Sequence, residues 1–216
     1  QLGRPDEALA SHDRALQLIP DYFEAHNNRG NALKELDRLD DAIASYDNAL
    51  RLAPNFAQAF NNRGVALWEL KRLDEALASF DQALRLHSGY AEAHNNRGNA
   101  LREMRRLDEA LSAYDAALRL NPRYARAFSN RGVSLQELMR FDEALACFDK
   151  AVALDPGYAE GHNNRATALR ELKRLDEAVS GFQAVLRIEP DHAAAGGMLI
   201  HLKAQMCDWG ETAGEG

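Results

Sequence analysis

Residues 91–124 read AEAHNNRGNALREMRRLDEALSAYDAALRLNPRY, and close copies of this stretch recur along most of the chain on a step of 34 residues. The step is marked by Pro20, Pro54, Pro122, Pro156 and Pro190, with Ser88 in the one missing place. Such self-similarity is the signature of a repeat architecture. With positions in each copy numbered 1 to 34, full copies start at Phe23, Ala57, Ala91, Ala125 and Ala159. Residues 1–22 are then the second half of an earlier copy.

Each copy is predicted to form two helices. The first covers positions 2 to 14, and a polar turn follows it. The second is expected to begin near Asp40 in the first full copy, since aspartate is a good N-cap, and to run to about Leu52. The proline at position 32 ends it, because a residue that precedes proline is disfavoured in the α region. The sequence therefore predicts an all-α chain of antiparallel helix pairs.

Small and aromatic residues alternate in a fixed way between the two helices. Position 8 is small (Gly30, Gly64, Gly98, Gly132, Ala166), position 20 is alanine, and position 24 is aromatic except at His12. This pattern resembles the tetratricopeptide-repeat (TPR) family over residues 1–192. The resemblance implies a right-handed superhelix, an α-solenoid whose first helices line a concave groove. The predicted organisation is a half repeat 1–22, repeats 23–56, 57–90, 91–124, 125–158 and 159–192, a capping helix 193–207 and a tail 208–216.

The composition excludes several classes of protein. Lys+Arg number 26 and Asp+Glu 33, a net charge of −7, which disfavours nucleic-acid binding. No apolar run is long enough to span a membrane, the first residues do not resemble a signal peptide, and two cysteines form no disulfide framework; a cytoplasmic location is expected. His26, His94 and His162 are two repeats apart, too far to share one metal ion. We expect no cofactor, no metal and no catalytic residue.

Asparagine dominates the polar side of the first helix, and this is the candidate binding surface. Position 6 is Asn28, Asn62, Asn96, Asn130 and Asn164; position 5 is Asn27, Asn61, Asn95, Ser129 and Asn163. Asparagine is a poor helix former, at a cost of roughly 0.5 kcal/mol against alanine, whereas its amide can bond both halves of a peptide group. We therefore predict a ladder that holds an extended polypeptide, through all of these asparagines. The alternative is that the amides bond within the solenoid.

Two further residues stand out in the first helices. Trp68 at position 12 is predicted to anchor a partner side chain, or else to be a shielded surface residue. Arginine fills position 7 in every full copy, on the apolar side, and a buried guanidinium needs a partner. Position 25 is aspartate in most copies, so an Arg–Asp pair within each repeat is predicted, except for Arg165, whose own repeat has Gln183.

The asparagine at position 6, with Cys207-Asp208-Trp209 after the repeats, also resembles the N-terminal region of O-linked N-acetylglucosamine transferases and their relatives. That resemblance implies that Asn28, Asn62, Asn96, Asn130 and Asn164 hold the acceptor polypeptide, as the recruiting arm of a glycosyltransferase. The alternatives are a stand-alone adaptor scaffold or an oligomerisation module that acts through the solenoid ends. Residues 1–22 are expected to be frayed or to pack against another molecule, because Leu9 and Leu16 have too little cover.

Overall fold

The computed structural model describes the chain from residue 4 to residue 212, and its side chains up to residue 206. This range holds twelve helices and no strand. The helices are α1 (Pro5–Leu18), α2 (Phe23–Glu35), α3 (Leu39–Leu52), α4 (Ala57–Glu69), α5 (Leu73–Leu86), α6 (Ala91–Glu103), α7 (Leu107–Leu120), α8 (Ala125–Glu137), α9 (Phe141–Leu154), α10 (Ala159–Glu171), α11 (Leu175–Ile188) and α12 (Ala193–Thr212). The first helix of every full repeat begins at the residue where the 34-residue numbering starts.

The helices pack as consecutive pairs, which confirms the predicted all-α solenoid class. They fall into two compact units, Gln1–Leu120 and Asn121–Gly216. In the first unit α2 packs on α3, α4 on α5 and α6 on α7; in the second α8 packs on α9 and α10 on α11. The first helices of neighbouring repeats also touch one another, α2 with α4, α4 with α6, and α8 with α10. We call the side of each unit on which these first helices meet the inner face.

Leucine at position 11 and the aromatic ring at position 24 form the core of each repeat. Leu33, Leu67, Tyr46 and Phe80 are at most 1% exposed in the first unit, and Leu169 and Phe182 are fully buried in the second. The glycine at position 8 is what lets the ring approach. A Cβ atom on Gly98 would lie 2.5 Å from Cε1 of Tyr114, closer than two carbon atoms can pack.

The second helices do not begin as the sequence predicted. Asp40 lies inside the first turn of α3, and the N-cap is Arg38, which makes no side-chain cap bond. Acidic residues in that turn complement the helix dipole instead. In α5 the guanidinium of Arg72 donates to both carboxylate oxygens of Glu75, at 2.7 and 2.8 Å. This hydrogen bond lowers the pKa of Glu75, so its contribution to stability is present at neutral pH and is lost as the pH falls through that lowered pKa.

A left-handed residue at position 15 ends every first helix of the full repeats. Asp37, Lys71, Arg105, Met139 and Lys173 have φ between 58° and 61°. After α8, the backbone N–H of Met139 donates to the carbonyl of Gln136, and that of Arg140 donates to the carbonyl of Leu135. This is the Schellman arrangement, in which glycine is the usual left-handed residue.

We expect Met139→Gly to stabilise the protein by roughly 0.5–1 kcal/mol. A side chain in the left-handed region costs about 1–2 kcal/mol, part of which the greater freedom of glycine in the unfolded chain offsets. Met139 is 72% exposed, so little packing is lost. Urea unfolding measures the change. Gln136→Gly, inside α8, is the control and should destabilise by about 1 kcal/mol; equal losses in both variants would contradict the assignment of strain to Met139.

The two ends of the described chain are less well packed. No residue of α1 is buried, and Leu18 and Ile19 at its end are 84% and 58% exposed, whereas Leu9 packs against the core of the first unit. At the other end α12 buries Ala195 and Leu202. It continues to Thr212, beyond the predicted end at residue 207, because no proline interrupts it.

Candidate functional site

Two tyrosines of the second helices bond to the inner face of the first unit. The hydroxyl of Tyr46 donates to Oδ1 of Asn31 at 2.8 Å, and that of Tyr114 donates to Oδ1 of Asn99 at 2.9 Å. Burial, followed by the carboxylates of Glu69 and Glu35, raises the pKa of Tyr46 far above its usual value. The hydroxyl therefore stays protonated and acts as a donor, which fixes the orientation of the Asn31 amide.

The sequence contained a signal for these position-9 asparagines that our prediction missed. Wherever position 24 is tyrosine, position 9 is asparagine. Wherever position 24 is phenylalanine, position 9 is Val65, Val133 or Thr167. A pair of positions that change together fifteen residues apart indicates direct contact.

The position-6 asparagines bond to the preceding repeat. Nδ2 of Asn62 donates to Oδ1 of Asn27 at 3.0 Å and to Oδ1 of Asn31 at 3.1 Å. Nδ2 of Asn96 donates to Oδ1 of Asn61 at 3.0 Å. In the second unit Nδ2 of Asn164 donates to the hydroxyl of Ser129 at 3.2 Å. The alternative considered for the sequence, amides that bond within the solenoid, thus accounts for part of the hydrogen-bonding capacity of this row.

The position-5 residues lie deeper than predicted. Asn27, Asn61, Asn95 and Ser129 are at most 4% exposed, and Asn163 is half-buried. The prediction that position 5 belongs to an accessible polar stripe is therefore wrong for the four buried residues. The periodicity of one helix places position 5 beside position 6, but the neighbouring repeat covers it.

The accessible polar stripe thus consists of positions 6, 9, 12 and 13. Asn28 is exposed, whereas Asn62, Asn96, Asn130 and Asn164 are half-buried. Asn28 and Asn31 line a shallow cleft of about 230 Å³ together with Ala8, His12, Ala32 and Glu35. The stripe offers amide and carboxylate groups and, within the described residues, no cluster of His, Cys, Asp or Glu that could hold a metal ion.

Trp68 is half-buried and packs against the core of the first unit together with Val65. The ammonium of Lys71 lies 5.4 Å from the centroid of its ring, within the range of a cation–π contact. Nζ of Lys71 also donates to the carboxylate of Glu103, at 2.9 Å to the nearer oxygen. The indole is therefore held from the neighbouring repeat rather than free to rotate.

The arginines at position 7 join neighbouring repeats, which corrects the predicted pairing. Nε of Arg63 donates to Oδ1 of Asp47, at 2.6 Å, on the second helix of the preceding repeat. Its Nη1 donates to the hydroxyl of Ser79, at 2.8 Å, in its own repeat. The same inter-repeat ion pair joins Arg29 to Asp13, Arg97 to Asp81 and Arg165 to Asp149. These arginine side chains are 24–30% exposed rather than fully buried.

This direction of pairing explains the exception in the last repeat. Gln183 occupies position 25 there, and the residue at position 7 of the following helix is Leu199 instead of arginine. No carboxylate is needed at residue 183, because the following helix has no guanidinium at the pairing position. Arg165, which the sequence analysis left without an aspartate, pairs with Asp149 one repeat earlier.

Asp47→Asn is expected to lower the free energy of unfolding by about 1 kcal/mol, since the pair is charged and only partly screened by solvent. Urea unfolding at low and at about 0.5 M salt measures the loss, which should shrink as the salt rises. The matched control is Gln183→Asp, which faces Leu199 and should bring no gain. A stabilising Gln183→Asp would contradict the inter-repeat pairing.

Family models agree with this architecture. Models described as tetratricopeptide repeat match residues 28–91, 91–124, 125–158 and 147–180, and a TPR repeat model matches residues 1–37. The chain belongs to the tetratricopeptide-repeat family. It is therefore a TPR module of the protein-binding class. No curated protein matches the sequence.

Solved TPR structures share the fold. YrrB, described as a TPR protein with an unusual peptide-binding site, is 25% identical, with a TM-score of 0.65 over 91% of this chain and 100% of its own. TTC0263, a thermophilic TPR protein in Thermus thermophilus, is 23% identical, with a TM-score of 0.71 over 84% and 99%. Cut9 in the APC/C Cut9–Hcn1 hetero-tetramer is 19% identical, with a TM-score of 0.83 over 92% of this chain and 40% of its own.

The remaining residues singled out in the sequence have structural roles in the TPR fold. Nε2 of His26, His94 and His162 lies 2.9–3.1 Å from a backbone carbonyl six residues earlier, in agreement with the prediction that these residues pack. The side chains of Cys207-Asp208-Trp209 lie outside the described residues. In the described part of the chain, no helix is both long and apolar enough to cross a membrane.

Proposed function

We propose that this TPR module binds extended polypeptide segments along the inner face of its first helices. The observation that carries the proposal is the row of fixed amides formed by positions 6 and 9. Asn62 uses both hydrogens of its amide within the protein, so it can still accept through Oδ1, whereas Asn31 has its oxygen occupied and can still donate through Nδ2. A peptide group offers one acceptor and one donor, which these two neighbouring side chains together match.

The row works differently from the ladder predicted from sequence. A single asparagine was expected to bond both halves of a peptide group. With Asn62 tied to Asn27 and Asn31, that double role passes to a pair of residues from adjacent repeats. Because the pair is held by Tyr46, little rotational freedom is lost on binding, and preorganisation of this kind improves affinity.

The test is a variant with Asn62, Asn96 and Asn130 all changed to Ala. Immobilised protein is incubated with a pool of random nine-residue peptides, and retained peptides are quantified by mass spectrometry. We expect at least a tenfold loss of retention. Asn48→Ala on α3 is the control, since Asn48 is exposed on a second helix. Circular dichroism melting shows that the triple variant remains folded, and unchanged retention by a folded triple variant contradicts the proposal.

We propose as its biological role the recruiting arm of a protein O-glycosyltransferase. Asparagine at position 6 in every full repeat and the Cys207-Asp208-Trp209 segment support this role. The alternative is an adaptor scaffold, supported by YrrB, which this chain covers over its whole length. Incubation of the natural full-length protein with UDP-N-acetylglucosamine and an unfolded polypeptide separates them: sugar transfer favours the first role, and its absence, with polypeptide binding intact, favours the second.

A third role, self-association through the ends of the solenoid, is supported by exposed apolar residues on the last helix. Ile200 of α12 is 73% exposed. Sedimentation velocity over a hundredfold range of protein concentration tests this role, and a constant sedimentation coefficient contradicts it.

A further inference from the structure

The inner face of the first unit alternates between amide and apolar residues at position 9. Asn31 on α2 and Asn99 on α6 stand on either side of Val65 on α4. Both asparagines have Oδ1 occupied by a tyrosine hydroxyl. They therefore have only N–H groups to offer a partner, and these hydrogens suit carbonyl oxygens.

The tyrosine–asparagine pairs are not needed for the fold. The repeat of α4 and α5 is built with Val65 and Phe80 at the same two positions, and Phe80 is as well buried as Tyr46 and Tyr114. Replacing a satisfied buried polar pair by apolar residues of similar shape is often neutral or stabilising. The pairs at α2–α3 and α6–α7 are thus better explained by the orientation that each tyrosine imposes on its asparagine.

Between the two asparagines, α4 carries an apolar site that no other described first helix has. Val65 and Trp68 are one turn apart on one side of the helix, both half-buried. Two buried donors lie on the same side, Nε1 of Trp68 and Nδ2 of Asn61, and neither has a hydrogen-bond partner among the described residues. Asn61 itself is fully buried. A buried donor without a partner costs about 1–3 kcal/mol, so a partner that brings an acceptor here gains more than it would elsewhere.

We propose that the first unit selects polypeptide segments with one bulky apolar side chain, which packs on Val65 and Trp68 while Asn31 and Asn99 donate to backbone carbonyls on either side of it. Tyr46 and Tyr114 are positioning residues in this site. The inference rests on the proposed function, since it assigns the kind of polypeptide that the same face binds.

The spacing of the helices sets the length of the segment. Neighbouring packed helices lie about 8–10 Å apart, so Asn31 and Asn99 are separated by two such steps. An extended chain advances about 3.3 Å per residue. The segment between the two carbonyls is therefore roughly five to six residues, with the apolar residue near its middle.

The test uses fluorescein-labelled nine-residue peptides of glycine and serine that differ only in the central residue, which is Phe, Leu, Ala or Glu. Fluorescence anisotropy measures their affinity. We expect the Phe and Leu peptides to bind at least tenfold more tightly than the Ala and Glu peptides. Equal affinity for all four peptides overturns the inference and leaves the proposed function standing, whereas the absence of binding by every peptide overturns both.

Three variants separate recognition from stability. Trp68→Ala and Val65→Asn should each remove the preference for Phe over Ala, and Val133→Asn, the equivalent change in the second unit, should leave it intact. Tyr46→Phe with Tyr114→Phe should weaken all four peptides by about threefold to tenfold without lowering the melting temperature, since phenylalanine already fills this position at Phe80. A preference that survives Trp68→Ala, or a double variant that binds as the parent does, contradicts the assignment.

Discussion

Gly98→Ala is expected to lower the free energy of unfolding by about 3 kcal/mol, at the upper end of the cost of overpacking a core. A Cβ atom at residue 98 would lie 2.5 to 2.8 Å from three atoms of the Tyr114 ring. That ring is fully buried, so it has no space into which it can move. The higher helix propensity of alanine, worth about 1 kcal/mol, offsets only part of the clash.

The measurement is urea unfolding followed by circular dichroism, with Gly197→Ala as the matched control. Gly197 also lies inside a helix, but no atom comes within 4 Å of its added Cβ, so this change should be neutral or stabilising by up to about 1 kcal/mol. A Gly98→Ala variant within about 0.5 kcal/mol of the parent would mean that close approach does not explain the glycine at position 8.

The last full repeat shows how alanine at position 8 can be accommodated. Ala166 takes the place of the glycine there, and position 23 is Gly181, where a Cβ would lie 2.8 Å from that of Ala166. In the repeat of Gly98, position 23 is Ala113, which is nearly fully buried. Adding Ala113→Gly to Gly98→Ala should therefore recover part of the lost stability, a coupling that a double-mutant cycle measures.

The sequence alone was sufficient for the repeat length, the helix pairs and their order. A step of 34 residues with glycine, alanine and aromatic residues at fixed positions admits few other arrangements. The left-handed residue at position 15 was not predictable, because aspartate, lysine, arginine and methionine at Asp37, Lys71, Arg105 and Met139 do not signal a positive φ. The turn is imposed by the packing of two helices whose lengths are fixed elsewhere.

The candidate site was only partly predictable, because its details depend on contacts between repeats. Helical periodicity assigned position 5 to the polar side, yet the neighbouring first helix buries Asn61. Likewise Arg63 could pair with an aspartate in its own repeat or in the preceding one, and a repeated sequence presents both choices at every copy. Only the ends break this symmetry. Gln183 opposite Leu199 identifies the preceding repeat as the partner.

Phe80→Tyr is expected to destabilise the protein by about 2 kcal/mol, although it adds a single oxygen atom. The ring of Phe80 is 1% exposed, and the residue at position 9 of its repeat is Val65, which cannot accept a hydrogen bond. A buried hydroxyl without a partner costs about 1–3 kcal/mol in proteins. Tyr46→Phe is the reverse change and should cost less, because Asn31 retains Asn62 as a donor to its oxygen.

Adding Val65→Asn to Phe80→Tyr should restore most of the stability, because it recreates the pair that joins Tyr46 to Asn31 at 2.8 Å. Urea unfolding of the parent, both single variants and the double variant gives the coupling energy, which we expect to exceed about 1 kcal/mol. Single effects that simply add would show that positions 9 and 24 vary independently. A restored double variant would also lack the apolar site at α4, so its failure to prefer Phe peptides would connect the packing rule of the repeats directly to what the inner face recognises.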